Sequence, residues 1–246
     1  MTNYKFTKAC AFGNDFVITY GKEIARNHII KISDRRNGVG CDQVILIDER
    51  DKIPYLRFFN GDGSESKACG NGTLCVASTL STKKIQTPQR IIECEFEGDN
   101  VSINLGSVKV FDINLPLREI RENPIGADIG NPHAIYCVEN IQEHDLKTLG
   151  PIVEKHPIFP NRTNVELVKI IDKQTIELSI WERGAGITPA CGSGATATFA
   201  ALNSKNLVSD MANVIMPGGN VAVRKENNEY WLTGKGKTTF EGSIKI

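Results

Sequence analysis

Ala68-Cys69-Gly70-Asn71-Gly72 and Ala190-Cys191-Gly192-Ser193-Gly194 are the two stretches on which the reading of this chain turns. Their cysteines stand 122 residues apart in a chain of 246, close to half its length. Upstream of each lies a polar residue closing an apolar run: Asn60 after Leu56-Arg57-Phe58-Phe59, and Glu182 after Ile180-Trp181. Both precede their cysteine by nine positions. Two Gly-Asn turns, Gly13-Asn14-Asp15-Phe16 and Gly130-Asn131-Pro132-His133, fall 117 residues apart. One structural unit present twice accounts for all of these matches.

Each half reads as short strands with one principal helix, an α+β pattern. Runs of β-branched and aromatic residues bounded by turn residues mark strands at 42–47, 55–59, 90–96 and 101–105. Their counterparts in the second half are 134–138, 165–171, 175–181 and 221–223. Helix-compatible runs of small residues follow the two glycine-rich turns, at 73–82 and 195–202. The second is small on every side, which suits a helix threaded through a tight sheet or barrel rather than one lying on a surface. Gly218-Gly219-Asn220 marks a hairpin turn. Pro116 to Pro124, with two prolines among charges, is the expected linker, so the halves are placed at 1–115 and 116–237.

Composition excludes several function classes. Lys+Arg and Asp+Glu are both 29, so the chain lacks the basic footprint of a protein built for nucleic acid or anionic membrane. Hydrophobic residues at 40% and charged residues at 24% supply a core and argue against disorder. No apolar run approaches membrane-spanning length, and the first residues carry lysines but no apolar secretory segment. Seven cysteines, an odd number, fit reduced thiols in a cytoplasm better than a disulfide framework. The absence of Cys-x-x-Cys spacing speaks against a metal centre, and none is expected.

A Cys-Gly-x-Gly turn running into a helix has a definite chemistry. The glycines allow a tight turn and bring bare N–H groups to a small anion at the positive end of the helix. The same field favours a thiolate on the cysteine. With two such turns in duplicated halves, Cys69 and Cys191 are candidates to flank one substrate, one thiolate removing a proton and the other thiol delivering one to the opposite face. A racemase or epimerase needs such near-equivalent bases, because both directions of reaction then use the same kind of group. Cys10, Cys41, Cys75, Cys94 and Cys137 are not followed by a Gly-x-Gly turn and read as small core residues. His28, His144 and His156 lie in polar surroundings and carry no expected role.

Taken together, Gly13-Asn14-Asp15-Phe16, Asn60-Gly61-Asp62-Gly63-Ser64-Glu65, the Cys69 turn, Gly130-Asn131-Pro132-His133, Thr163-Asn164-Val165-Glu166, Glu182-Arg183-Gly184-Ala185-Gly186 and the Cys191 turn resemble the diaminopimelate epimerase family in motif and in order. Thr239-Phe240-Glu241-Gly242 is similar to that family's closing strand, which joins the tail 238–246 to the first half. The resemblance implies two pseudo-symmetric domains, each a β-sheet barrel around a central helix, with the active site in the cleft between them. It implies a cofactor-independent epimerase of LL- and meso-diaminopimelate, acting on a small amino-acid substrate in lysine and peptidoglycan precursor synthesis. Carried over by position, Cys69 and Cys191 are the acid/base pair, with His133 and Glu182 beside the reacting centre. Backbone at Gly70, Asn71, Gly192 and Ser193 would bind the α-carboxylate. Asn14, Gln43, Asn60, Asn131, Asn164 and Arg183 would complete the substrate contacts, the arginine fork suiting a distal carboxylate.

This sequence departs from the family pattern at Leu74, often arginine, at Cys41, where a small or apolar residue is commoner, and at Phe240. The last stands where some members carry a tyrosine associated with a dimer contact, so a homodimer is an open expectation. Three other readings compete: a racemase of proline, hydroxyproline or another amino acid, a thiol-redox or metal-binding protein, and a non-catalytic binding module. A one-headed substrate would not need Asn60, Asn131, Asn164 and Arg183.

Overall fold

The computed structural model describes residues 2–49, 52–118, 120 and 122–246. The chain forms two compact units, Met1–Ile103 with Gly234–Ile246, and Asn104–Thr233. The first runs β1 (Asn3–Ala11), β2 (Asn14–Tyr20), α1 (Arg26–Ser33), β3 (Gln43–Asp48), β4 (Tyr55–Asn60), β5 (Glu65–Ser66), α2 (Gly70–Leu80), β6 (Lys84–Gln86), β7 (Ile91–Glu97) and β8 (Asn100–Asn104). The second runs β9 (Lys109–Asp112), β10 (Ile125–Asp128), β11 (Pro132–Cys137), α3 (Leu146–Glu154), β12 (Asn164–Asp172), β13 (Thr175–Glu182) and β14 (Gly186–Thr188). It ends with α4 (Gly192–Ser204), β15 (Met211–Met216), β16 (Gly219–Glu226) and β17 (Glu229–Gly234). The chain then returns to the first unit as β18 (Lys237–Lys245).

The pairing pattern is the same in both units. β2 runs parallel to β3 and β11 parallel to β12. β3–β4–β5 and β12–β13–β14 are antiparallel. After the helix, β6 and β15 return parallel to β4 and β13. β18 flanks β1 as β9 flanks β10. These registers superpose the motifs residue by residue: Phe16 faces Gln43 as His133 faces Asn164. Gln43 in turn faces Asn60, the counterpart of Glu182. The α+β architecture expected from the sequence is the one observed.

Each sheet is covered on both faces, which is why its central strands read as unbroken apolar runs. In β3, Val44 and Leu46 face α1 together with Ile29, Ile32 and Phe59. Ile45 points the other way, beneath Gly72 of α2. In the second unit α3 covers Tyr136, Val165 and Leu167. On the opposite face α4 is buried along nearly its whole length and touches β9, β10, β11, β12, β15 and β16, so the sheet curls around it. Helix α4 needs small residues on all sides because it has strand on all sides.

Three boundaries differ from expectation. The first unit ends at residue 103 rather than 115, because β9 pairs with β10 and belongs to the second unit. The described part of the Pro116–Pro124 segment lies inside that unit, and its residues 119 and 121 lie outside the described residues. The second boundary falls at 233/234 rather than 237/238. The turn placed at Gly218-Gly219-Asn220 is formed by Pro217 and Gly218, since Gly219 already pairs with Met216 and Asn220 with Ile215.

A charged knot holds the first Gly-Asn turn. Phe12 and Gly13 both take left-handed backbone (φ 53° and 85°) in the two-residue hairpin between β1 and β2. Just beyond, the Asp15 carboxylate accepts from Lys8 Nζ at 2.7 Å and from both Arg35 Nη atoms at 2.7 and 2.8 Å. Arg35 also bonds Asp42 at 2.7 Å, and the Asp42 carboxylate accepts from Asn14 Nδ2 at 3.3 Å. Burial alone would push the Asp15 carboxyl up, but the bonds from Arg35 and Lys8 outweigh it and hold the group well below the usual carboxylate range. Its stabilisation is therefore full above the ordinary carboxylate pKa of about 4 and fades only as pH falls below it. Asp15→Asn leaves the Lys8 ammonium, which is 10% exposed, without its carboxylate. We expect it to cost about 3 kcal/mol at neutral pH, read by chemical denaturation, with the deficit shrinking in acid.

Candidate active site

Both helices begin where the cysteines are. Cys69 is the N-cap of α2 in extended backbone (φ −151°, ψ 107°), and its Sγ accepts from the Gly72 N–H at 3.3 Å. Cys191 is the N-cap of α4 in nearly the same conformation (φ −141°, ψ 116°), its Sγ 3.3 Å from Ser193 Oγ. The expected helices at 73 and 195 thus start three residues earlier, at Gly70 and Gly192. These glycines belong to the first turn, so the N–H groups of Gly70, Asn71, Gly192 and Ser193 lie among those that an α-helix leaves unpaired. A carboxylate is the natural occupant of such a terminus.

In the first unit the polar side chains are tied in pairs. Asn71 Nδ2 donates to Asn14 Oδ1 at 2.8 Å, and Gln43 Nε2 to Asn60 Oδ1 at 2.9 Å. Asn60 Nδ2 continues to Ser64 Oγ at 3.0 Å. Gln43 Oε1 and Asn71 Oδ1 are buried and accept no hydrogen bond. A buried acceptor left this way costs about 1–3 kcal/mol, and a donor such as an ammonium group would remove that cost.

The second unit is ionisable where the first is not. His133 and Glu166 are fully buried, with Nδ1 2.6 Å from Oε1. Asn164 Oδ1 accepts from the Arg183 backbone N–H at 2.8 Å, while its Nδ2 faces the Pro132 carbonyl at 3.3 Å and His133 Nε2 at 3.4 Å. Glu182 Oε1 accepts from Thr188 Oγ1 at 2.6 Å. Burial pushes the Cys191 thiol well up, and the negative charges of Glu182 and Glu166 add to that. The thiolate expected from the helix start is thus opposed at Cys191, whose thiol holds its proton more tightly than an ordinary cysteine. Asn131 lies in the turn between β10 and β11, two residues before His133. Arg183 is exposed, its guanidinium resting on the Asn161 carbonyl at 2.9 Å.

Two contributors escaped the sequence reading. Glu166 stood in a quoted motif but received no role; the signal was an acidic residue in the middle of a β-branched strand. Glu154, at the end of α3, is buried and accepts from Trp181 Nε1 at 2.7 Å and from the Gly184 N–H at 3.1 Å, fixing the turn that carries Glu182 and Arg183. It lies 28 residues before Glu182, with no local pattern to mark it. Among the described residues no group of His, Cys, Asp and Glu is arranged to hold a metal, and no helix is long and apolar enough to cross a membrane.

Comparison with known proteins bears on this geometry directly. The family description "Diaminopimelate epimerase" matches residues 6–111 and 126–240, which includes both cysteine turns. The chain belongs to the diaminopimelate epimerase family. Among its relatives, the diaminopimelate epimerase of Pelagibacter ubique is 38% identical over 98% of this chain and 99% of its own length. That of Methanococcus maripaludis (strain S2) is 36% identical over 98% and 100%. Membership makes the chain an epimerase, an isomerase. The fold is shared more widely. A PhzF-family phenazine biosynthesis protein of Bacillus anthracis superposes with a TM-score of 0.77 at 16% identity, covering all of both chains. A hydroxyproline epimerase of Agrobacterium vitis does so with 0.72 at 13%, covering 98% of this chain and 92% of its own. In this diaminopimelate epimerase family member, the motifs expected of the family stand at the starts of α2 and α4, at the ends of β2, β4, β11, β12 and β13, and in β18.

Proposed function

We propose that this epimerase interconverts LL- and meso-2,6-diaminopimelate without a cofactor, in the cytoplasm, supplying lysine and peptidoglycan precursors. The observation that carries the reading is the placement of two cysteines as N-caps of equivalent helices, each next to unpaired N–H groups. The substrate α-carboxylate is held by the backbone of Gly70, Asn71, Gly192 and Ser193, which also stabilises the carbanion's delocalised charge. One cysteine, as thiolate, takes the α-proton; the other, as thiol, delivers its proton to the opposite face. The carbon returns inverted, and the enzyme ends with the two sulfurs' protonation states exchanged. Glu182 and His133 hold the α-ammonium and assist proton movement at the thiols.

Asn14, Gln43, Asn60, Asn131, Asn164 and Arg183 read the rest of the molecule, with the orphaned Gln43 Oε1 and Asn71 Oδ1 suited to ammonium donors. A second amino-acid head is what such a set discriminates, since buried polar groups left unpaired by a shorter substrate are costly. An assay offering LL-diaminopimelate beside proline, hydroxyproline and simple amino acids tests this. Turnover confined to diaminopimelate is expected; comparable racemisation of proline would overturn the substrate assignment.

A further inference from the structure

The two units differ most beneath the helix starts. An added Cβ on Gly72 would meet Ile45 Cδ1, Phe16 Cε1 and Phe58 Cε1, an apolar floor. At the equivalent Gly194 it would meet Ile180 Cδ1 at 3.0 Å and the Glu166 carboxylate at 3.1 Å. By register, His133 takes the place of Phe16, and Glu166 the place of Ile45 two residues beyond the facing position. The same fold is therefore built in the first unit with hydrocarbon at both positions. Packing alone does not call for the Glu166 carboxylate, and a buried ionisable pair is generally no more stable than an apolar pair of similar volume.

We infer that Glu166 is a positioning residue that fixes the tautomer of His133, holding the proton on Nδ1 and leaving Nε2 as the base. The Asn164 amide decides the direction. Its Oδ1 is committed to the Arg183 N–H and its Nδ2 to the Pro132 carbonyl, so the atom facing His133 Nε2 is an N–H donor. Nε2 must then carry its lone pair, and the single imidazole proton sits on Nδ1, 2.6 Å from Glu166 Oε1. When Nε2 takes up a proton it gives up the long 3.4 Å contact with the Asn164 amide, the imidazolium is neutralised by the carboxylate already bonded to it, and releasing the proton restores the starting state. Burial pushes the Glu166 carboxyl up while the His133 ring opposes it. The first unit has no such device, so the Cys191 unit carries the proton-handling side chains and the Cys69 unit an apolar floor.

This assignment rests on the two-thiol reading of the reaction, but its direct test does not. In ¹⁵N-labelled protein the four histidines give resolvable imidazole signals, and His133→Phe identifies the one from His133. At neutral pH we expect a protonated Nδ1 and a bare Nε2. Glu166→Gln keeps an acceptor for Nδ1 but removes the charge, so it should leave the tautomer in place and lower kcat about a hundredfold with KM within twofold. The paired replacement His133→Phe with Glu166→Ile, which copies the first unit, should fold with undiminished stability yet lose the histidine's contribution. A wild-type proton on Nε2, or Glu166→Gln with unchanged kcat, would overturn the role of Glu166. Should those hold while Cys191→Ala retains turnover, the two-thiol reading fails instead.

Discussion

Cys69→Ala and Cys191→Ala should each lower kcat by about 10⁴-fold, the full range of one general acid or base, while far-ultraviolet circular dichroism and denaturation midpoints are expected to stay close to wild type. The size follows from the role. Inversion needs a group to remove the proton and a different group to return one, so loss of either sulfur stops the cycle. Stability should be spared because an N-cap alanine gives up little here: Cys191 makes no side-chain cap bond, and the Cys69 bond to the Gly72 N–H, at 3.3 Å, goes to sulfur, a weak acceptor. Combining the two substitutions should cost little more than either alone, as expected of groups acting as one unit. Near-normal turnover by either single variant would contradict the mechanism.

The second large effect is on folding. To bring β18 back to β1, the chain passes directly over α2, where a Cβ on Gly236 would sit 2.6 Å from Cys75 Cα and 2.9 Å from both Cys75 N and Leu74 O. These are backbone atoms of a buried helix and cannot move aside as a side-chain tip can. Gly236→Ala should destabilise the protein by about 3 kcal/mol, near the upper end for overpacking. Gly98→Ala, at a turn where nothing lies within 4 Å of the added carbon, serves as the contrast; its left-handed φ of 57° limits the loss to about 1 kcal/mol. Equal effects from the two would show that the helix crossing is not what Gly236 is for.

The duplicated layout was legible because turn chemistry is local. Glycines that must stand at tight turns repeat with fixed spacing, and the strands they bound have the right apolar runs. The small-residue helix α4 was legible for the same reason, since its composition states that it has neighbours on every side. The helices α1 and α3 were not foreseen. Helix α3 carries Gly150 and Pro151 in its interior, which read as breakers. In the fold, Gly150 is required because an added Cβ there would enter the Trp181 ring at 2.4–2.7 Å. The position of β9 was hidden too, because only its partner β10, from beyond the expected linker, assigns it to the second unit. At the candidate site, residues marked by glycine neighbours stood out, whereas Glu166 and Glu154 act through side-chain partners 33 and 27 residues away in sequence.

The central claim, proton exchange at one carbon by two sulfurs, is met most directly by turning over LL-diaminopimelate in D₂O and following the α-hydrogens by NMR and mass spectrometry. The account predicts that each meso product molecule formed in the first turnovers carries one solvent deuterium at the inverted carbon, and that the remaining substrate stays largely unlabelled. Product that retains its original hydrogen at that carbon would contradict it.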